Sequence, residues 1–292
     1  MKRFHSYIIA VGMFLSVVVV SCKEEKDETK KESGKMEMTT SKSGNVTIGL
    51  LGSGAATIDW GDGSVEETKT LFSFDYATEY VHDYSAPKTR TIRIFGNNIT
   101  GLDCSSNQLI SLDVSKNISL KYLSCDDNQL TNLDLSRNTA LTILFCDNNQ
   151  LSNLEVSKNI ELIWLFCSGN QLTNLDVSKN AALTVLDCWN NQLMSLDVGS
   201  ALIVLHCFDN QLTSLDVSKA TTLHYLDCYA NQLSDVALDV LFGTLPENSI
   251  FGIHNTIFIG GNPGTDNCNQ SIAINKGWTV NIGESETKVI NH

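Results

Sequence analysis

Hydrophobic and polar residues alternate in a regular pattern from about residue 94 to about residue 245. The repeating unit is about 21 residues long and reads L-x-x-L-x-C-x-x-N-Q-L-x-x-L-D-V-S-K-N-x-x. The period of two in L-x-C predicts a short β-strand whose leucine and cysteine point inward. One strand per unit predicts a parallel sheet with strands about 4.8 Å apart. Seven cysteines mark the units: Cys104, Cys125, Cys146, Cys167, Cys188, Cys207 and Cys228.

The second half of each unit, L-x-x-L-D-V-S, has the same inward alternation and predicts a return along the opposite, convex side. Asparagine follows each cysteine by three residues, where the strand ends. Buried amides stacked from unit to unit would satisfy the backbone groups of the turn, which otherwise carry a desolvation cost. No unit can bury its core alone, so stability requires neighbouring units and caps.

This unit resembles the leucine-rich repeat, with cysteine in one consensus leucine position. Its short length resembles the thin, internalin-like subclass. The resemblance implies a solenoid with a concave parallel sheet, formed by seven repeats over residues 97–233. Ser234 precedes an apolar-periodic segment and predicts a helix with this serine as N-cap. Residues 234–292 continue with a strand in NTIFIGG, a helical piece in SIAINKG and a strand in WTVN. They resemble the C-terminal cap that follows such repeats in Bacteroidetes-type proteins.

Residues 45–96 predict five short strands, NVTIGLL, ATIDW, TKTLFSF, TEYVHDY and TRTIRIF, separated by turn residues. The segment W-G-D-G-S at residues 60–64, paired with H-D-Y at 82–84, resembles the PKD family of immunoglobulin-like sandwiches. The region is shorter than a full PKD domain, so a truncated or fused module that covers the first repeat is expected. Asp59 and Asp62 could suggest calcium binding, but aspartates beside glycines serve a turn equally well.

The N-terminus predicts export. Residues 1–21 have a basic start and an apolar stretch too short to favour a permanent membrane span. The end of this stretch, V-V-S-C, resembles the lipobox of bacterial lipoproteins, which implies a lipid on Cys22; an ordinary signal peptide is the alternative. Residues 22–44 have almost no large apolar side chains and predict a disordered tether. Lys23-Glu24-Glu25 resembles the acidic export signal of Bacteroidetes-type surface lipoproteins, which favours an outer-membrane lipoprotein exposed at the cell surface. The alternative is a charge-rich linker.

Composition supports a folded, acidic protein. Of the 292 residues, 42% are hydrophobic and 18% are charged, so most of the chain should fold. The net charge is −13, and from Cys22 onward it is 18 − 33 = −15, because the first 21 residues hold Lys2 and Arg3 and no acid. This balance argues against nucleic-acid binding, which needs positive charge. The predicted fold class is mostly β: a leucine-rich repeat solenoid, preceded by a PKD-like β-sandwich and closed by an α+β cap.

Candidate chemistry is sparse. The sequence contains no G-x-S-x-G, P-loop, H-E-x-x-H or C-x-x-C signature, so we predict no enzyme, cofactor or metal. Neighbouring parallel strands hold Cβ atoms farther apart than the roughly 3.8 Å of a disulfide, and a single-file ladder offers no tetrahedral zinc site. We therefore predict that the repeat cysteines are buried thiols acting as small hydrophobic side chains. We interpret the convex charges as solvated: Asp113, Asp134, Glu155, Asp176, Asp197 and Asp216 beside Lys116, Arg137, Lys158, Lys179 and Lys219.

The outward positions of the sheet carry the strongest signal for binding. Three flank each L-x-C, which gives 7 × 3 = 21 positions; eight are aromatic, five are Asp and none is Lys or Arg. Aromatics are only 8% of the chain, and the convex half-repeats between residues 109 and 222 contain none. Aromatic side chains concentrate binding energy, although they also favour strands for intrinsic reasons. The predicted ligand-binding residues are Tyr122, Asp126, Phe145, Asp147, Trp164, Phe166, Asp187, Trp189, His206, Phe208, Tyr225, Asp227 and Tyr229.

These features favour a non-enzymatic, surface-anchored binding protein or adhesin that recognises a protein partner through the concave face. One alternative is a glycan-binding surface lipoprotein associated with polysaccharide uptake, because aromatic rings stack on sugar faces. A structural envelope protein and an enzyme are further alternatives. The fold alone does not choose among them, since function in such scaffolds resides in the site.

Overall fold

The computed structural model describes residues 34–72, 77–247 and 255–283. The predicted signal peptide, the lipidation residue Cys22 and residues 23–33 of the predicted tether lie outside these ranges. The described chain is mostly β-structure and forms a solenoid of about eight turns. Among the described residues, no helix is long and apolar enough to cross a membrane.

Strands and helices are numbered in chain order. The N-terminal strands are β1 (Met36–Thr40), β2 (Gly44–Gly52), β3 (Gly54–Asp59), β4 (Glu67–Leu71), β5 (Thr78–Tyr84) and β6 (Arg90–Phe95). The concave strands are β7 (Ile99–Asp103), β9 (Tyr122–Ser124), β10 (Ile143–Phe145), β11 (Trp164–Phe166), β13 (Val185–Asp187), β15 (Val204–His206), β16 (Tyr225–Asp227), β17 (Asn255–Phe258) and β18 (Trp278–Asn281). The convex strands are β8 (Leu109–Asp113), β12 (Asn174–Asp176) and β14 (Ser195–Asp197), and the helices are α1 (Asp235–Thr244) and α2 (Ser271–Ile274).

An 11-stranded sheet forms the concave side, in the order β18-β17-β16-β15-β13-β11-β10-β9-β7-β2-β5. From β7 to β18 neighbouring strands are parallel and in register, so that Leu144 lies opposite both Leu123 and Leu165. This register places every repeat leucine and cysteine in one continuous core, where all seven cysteines are 0% exposed. The predicted parallel sheet and the predicted burial of the cysteines are confirmed.

The asparagine that follows each cysteine connects neighbouring turns of the solenoid, as predicted. Asn128 Nδ2 donates to the carbonyl oxygens of Cys104 at 3.1 Å and Cys125 at 2.9 Å, while its Oδ1 accepts from the Leu109 backbone N–H at 2.8 Å. A second asparagine ladder on the convex side was not predicted. There Asn159 Nδ2 donates to the carbonyls of Leu135 and Asn138, at 3.1 and 2.9 Å.

The N-terminal strands form two facing sheets that are continuous with the solenoid. Strand β2 extends the concave sheet by pairing antiparallel with β7, and β5 pairs antiparallel with β2. Strands β4, β3, β6, β1 and β8 form a second sheet. Trp60, Tyr80 and Ile92 are buried between them. Five strands lie within residues 44–95, in the predicted order, and β2 pairs with β7 of the first repeat. That this module is PKD-like and serves as a cap stays a prediction.

One part of the predicted tether is wrong. Residues 22–44 were expected to be disordered, but residues 36–40 form β1, which pairs antiparallel with both β6 and β8. Met36 and Met38 are fully buried in the core. The strand exists because its two methionines alternate with polar residues and because two neighbours supply backbone partners, which a composition argument does not detect.

The C-terminal elements follow the predicted order. Ser234 caps α1, and its hydroxyl accepts from the Ala237 backbone N–H at 3.2 Å. The predicted strands and the second helix are present as β17, β18 and α2. However, β17 and β18 join the concave sheet in the same parallel register as the repeats, with Leu226 opposite Ile257. The parallel sheet therefore continues past the predicted boundary at residue 233 into the cap.

Candidate functional site

The candidate site is the concave face, defined as the outward side chains of the parallel strands β7 to β18. They form three columns: the residue before each inward leucine, the residue between leucine and cysteine, and the residue after the cysteine. The parallel register stacks each column, so Phe145 lies beside Phe166, and Phe166 beside Asp187, on neighbouring strands. Residues about 21 apart in sequence thus become neighbours at strand spacing, which is roughly 4.8 Å.

Aromatic side chains of the concave face stack in two groups. In the first, the Phe145 and Phe166 ring centroids are 4.7 Å apart, and Tyr122 lies 6.0 Å from Phe145. In the second, Trp189 and Phe208 are 5.1 Å apart with nearly parallel planes, at 3°. Offset-stacked rings at these separations support one another and form rigid platforms.

The platforms differ in what they expose. Phe208 is only 1% exposed, so the second platform presents the Trp189 ring with Phe208 packed against it. Trp164, Phe166 and Trp189 are half-buried, each with one part of the ring open. Of the predicted ligand-binding aromatics, Phe208 is thus placed as a support for its neighbour. The half-buried state of the others is typical of side chains held by a sheet and still accessible to a partner.

Carboxylates lie beside the aromatic platforms, on or directly after strands β9, β10 and β13. We call Asp126, Asp147 and Asp187 the acid cluster. Asp147 is buried and accepts hydrogen bonds from the Ser168 hydroxyl and from the Ser168 backbone N–H, the latter at 3.0 Å. Asp126 accepts from the Ser124 hydroxyl. Asp187 is also buried, and its Oδ2 lies 3.6 Å from Nδ1 of His206.

Burial and like charge act together on this cluster. Burial raises the pKa of Asp147 to about 7, with the neighbouring negative charges of Asp187 and Asp126 adding to the effect and the Ser168 hydrogen bonds opposing it. Burial likewise raises the pKa of Asp126. Both pKa values are raised because the carboxylates of Asp147 and Asp126 are poorly solvated, and no cationic side chain among the described residues contributes an opposing effect.

The C-terminal part of the face contains the remaining predicted residues. His206 packs edge-on against Tyr225, with centroids 5.1 Å apart. Asp227 is 0% exposed and accepts from the Tyr229 backbone N–H at 3.1 Å, so it stabilises the strand end. Asp227 is therefore buried beneath the face, although it was predicted to contact a ligand.

Sequence reasoning missed Phe258. It lies opposite Asp227 on β17, and its ring is 5.7 Å from that of Tyr225, so it extends the aromatic surface into the cap. The signal was present in I-F-I-G-G-N at residues 257–262, which is the repeat pattern with isoleucine in place of leucine and cysteine. Asn262 Nδ2 donates to the carbonyls of Cys228 and Ile259, as the repeat asparagines do in their turns.

The repeat cysteines face away from this site. Burial raises the pKa of each thiol, for example that of Cys167, and Cys146 Sγ donates to the Phe166 carbonyl oxygen at 3.4 Å. A thiolate is the reactive form of cysteine, so these side chains are poor nucleophiles. They act as small apolar side chains of the core.

The other aspartates singled out in the sequence accept hydrogen bonds from backbone N–H groups within turns. Asp59 Oδ1 accepts from the Gly61 backbone N–H at 2.9 Å, and Asp62 Oδ1 from that of Ser64 at 3.0 Å. Asp62 also pairs with His82 at 2.7 Å. The convex acids do the same: Asp134 accepts from the Ser136 backbone N–H at 2.9 Å. Within the described ranges, no group of three or more histidine, cysteine or acidic side chains is arranged to hold a metal ion.

No protein-family model matches the chain, and the search of curated proteins finds no match. Among solved structures, the leucine-rich repeat domain of APL1B has a TM-score of 0.50 at 21% identity, over 59% of this chain and 52% of that one. This likeness, together with the in-register ladder, defines the class: a leucine-rich repeat β-solenoid.

Two proteins of Listeria monocytogenes are similar as well. The functional domain of InlJ, which includes a cysteine ladder, has 30% identity and a TM-score of 0.49, over 68% of this chain and 51% of that one. The internalin InlF has 21% identity and a TM-score of 0.45, over 62% and 59%. With TM-scores under 0.5, these likenesses do not by themselves define the fold. This chain spans between 51% and 59% of the length of these three solved structures.

Proposed function

We propose that this protein is a binding protein of adhesin type that captures a protein partner on its concave face. The observation that carries the proposal is the pair of stacked aromatic platforms with buried carboxylates beside them, built on one continuous sheet. Large aromatic side chains held in place by neighbours lose little entropy when a partner covers them. A face of this kind favours protein contact over solvent.

We further propose that the protein is anchored by a lipid on Cys22 and displayed at the outer membrane surface. The lipobox-like V-V-S-C and the K-E-E that follows it support this placement. A lipid on the N-terminal side of the sandwich would leave the solenoid free to meet a partner.

The decisive experiment compares two triple variants of the unlipidated mature chain (residues 22–292, Cys22→Ser). Trp164→Ala/Phe166→Ala/Trp189→Ala removes one half-buried ring from each platform, together with the half-buried ring of Trp164 on β11. Ile118→Ala/Ile160→Ala/Met194→Ala removes three exposed apolar side chains from elsewhere on the repeats. The chain must include residues before Asn45, because a fragment beginning there would lack β1.

Each variant is used to capture surface proteins from intact cells of candidate hosts or neighbours, with mass spectrometry as readout. We expect the aromatic variant to lose a partner that the other variant retains, while circular dichroism shows both folded. Equal capture by both variants would contradict the proposal. Binding of glycans on an array without any protein partner would instead favour the glycan alternative.

The anchoring proposal has its own measurement. Cells expressing the full chain and fed a clickable fatty acid should label the protein, and Cys22→Ser should abolish the label. Protease treatment of intact cells should then remove the labelled protein if it faces outward. If the Cys22→Ser variant were still labelled, a residue other than Cys22 would carry the lipid, and the anchoring proposal would be wrong.

A further inference from the structure

The acidic side chains of the concave face have no Lys or Arg at the neighbouring outward positions. Across all nine parallel strands, the outward positions include five aspartates and neither Lys nor Arg. The convex side differs, because its acids alternate with Lys116, Arg137, Lys158, Lys179 and Lys219. The concave face therefore carries acidic groups without Lys or Arg to offset them, whereas the convex face carries both signs.

Two members of the acid cluster are buried without a cation. Asp147 and Asp187 are 7% and 9% exposed. Oδ1 of Asp187 is buried and has no hydrogen-bond partner among the described residues, and the nearest basic atom, Nδ1 of His206, is 3.6 Å from the other oxygen. Buried carboxylates are normally paired, because an unpaired one carries a large desolvation cost.

Aromatic rings lie on both sides of these carboxylates. Phe166 is directly opposite Asp187 on the neighbouring strand, within the stack that it forms with Phe145. Trp189 lies two residues after Asp187, in the stack with Phe208. A carboxylate flanked by ring faces suits a guanidinium, which pairs with the acid and lies flat on the ring.

We infer that the concave face recognises a protein partner through an arginine- or lysine-bearing segment, whose cationic groups meet the acid cluster beside the Phe145–Phe166 and Trp189–Phe208 stacks. This inference rests on the proposed function and adds the chemistry of the partner. A metal ion is the weaker occupant, because the described residues offer no cluster of three ligands. A side-chain cation needs only the one or two carboxylates present and uses the aromatic rings as well.

The test measures binding of fluorescein-labelled octapeptides of alternating arginine and glycine, or of glutamate and glycine, by fluorescence anisotropy. Asp147→Asn/Asp187→Asn removes two carboxyl groups from the acid cluster and retains oxygens that can accept the Ser168 bonds. Asp134→Asn/Asp176→Asn removes two exposed convex carboxyl groups, so the two variants have the same formal net charge; binding is measured at pH 8, above the pKa of about 7 of Asp147.

We expect the arginine peptide to bind, the glutamate peptide not to bind, and the acid-cluster variant to weaken arginine-peptide binding about tenfold or more. The convex variant should change the affinity for the arginine peptide by less than about twofold, because exposed charges are screened by solvent and salt. Equal weakening by both variants would show a diffuse charge effect and overturn the inference. Absence of binding by the arginine peptide would also overturn it.

Capture experiments separate this inference from the proposed function. A partner that the aromatic triple variant loses but Asp147→Asn/Asp187→Asn retains would support the proposed function. The same result would rule out recognition through a cationic segment. A partner that is lost with both variants supports both. If the peptide results hold but no protein is captured, the proposed function fails while the cation-binding chemistry stands.

Discussion

Asparagine side chains tie each turn of the solenoid to the next. Asn149 is buried, its Nδ2 lies 3.0, 3.2 and 3.1 Å from the carbonyl oxygens of Cys125, Cys146 and Asp147, and its Oδ1 accepts from the Leu130 backbone N–H at 2.9 Å. A single amide thus satisfies backbone groups in three segments that cannot reach water. The fixed position of asparagine in the repeat follows from this geometry.

Replacing this amide should be costly. Asn149→Ala is expected to lower the free energy of unfolding by about 2–4 kcal/mol, because several buried backbone groups lose their partner. Urea denaturation followed by circular dichroism measures the change. The matched control is Asn153→Ala at an exposed convex position, which should change stability by less than about 0.5 kcal/mol. Equal effects at the two positions would show that the ladder bonds contribute nothing.

The buried carboxylate of Asp147 should make stability depend on pH. Its pKa is raised from 3.8 to about 7, so the folded state holds the proton more tightly than the unfolded state does. Stability conferred by the neutral form is present below pH 4 and is lost as pH rises toward 7. Asp147→Asn should therefore stabilise the protein at pH 8, on the order of 1 kcal/mol per pKa unit, and have little effect at pH 4.

Thermal unfolding across this pH range is the measurement. Asp134→Asn is the control, and its effect on stability at neutral pH should have the opposite sign. Hydrogen bonds from Ser136 lower the pKa of Asp134, so the charged form of this side chain favours the folded state. If Asp147→Asn destabilised the protein equally at pH 4 and pH 8, burial of an unfavourable charge at this position would be ruled out.

Among the strands, β1 shows how local and distant contacts combine. Five residues make a marginal strand alone, but β1 lies between β6 and β8 and buries Met36 and Met38. It links the sandwich to the first convex strand of the solenoid. The N-terminal module therefore pairs with the repeats in both of its sheets, through β1 with β8 and through β2 with β7.

A core substitution in β1 should report this link. Met38→Ala is expected to destabilise the N-terminal sandwich by about 2–4 kcal/mol, because it leaves a cavity between the sheets. Thr39→Ala, on the outward side of the same strand, is the control. Hydrogen exchange of β6 and β8 should accelerate in the first variant only. Unchanged exchange in both strands would mean that β1 does not contribute to the fold.

For the molecule as a whole, each turn of the solenoid contacts only its neighbours, so stability should vary along the axis. The C-terminal end is closed by Trp278, which is 2% exposed and donates from Nε1 to the Pro246 carbonyl oxygen at 3.0 Å. Beyond β18 the parallel sheet has no further strand among the described residues. Opening is therefore expected to begin at this end.

Trp278→Ala should increase hydrogen exchange in β17 and β18 while the central strands β10 to β13 keep their protection, since the lost contacts lie in the last turns. Ile282→Ala, at an exposed position of the same end, is the control and should leave exchange unchanged. Loss of protection along the entire solenoid would indicate that the chain unfolds as one cooperative unit.

The periodic part of the fold was determined by the amino-acid pattern alone. Inward leucine and cysteine, the asparagine at the strand end and Ser234 at the start of α1 each follow from local alternation or capping chemistry. The leucine, cysteine and asparagine positions recur in seven units, so a chance match in one unit does not change the prediction. The same pattern indicated which side chains point outward, and hence most of the aromatic and acidic face.

Tertiary structure decided what depends on neighbours distant in sequence. The pattern does not reveal that Phe208 supports Trp189, that Asp227 is buried, or that Asp187 lies beside Phe166, because burial and stacking depend on adjacent turns. Strand β1 was missed because a short segment becomes a strand only when a partner edge is available. The strand that contains Phe258 was predicted, but its pairing with β16 in the concave sheet was not. Local alternation sets which way a side chain points, whereas packing sets whether solvent or a partner can reach it.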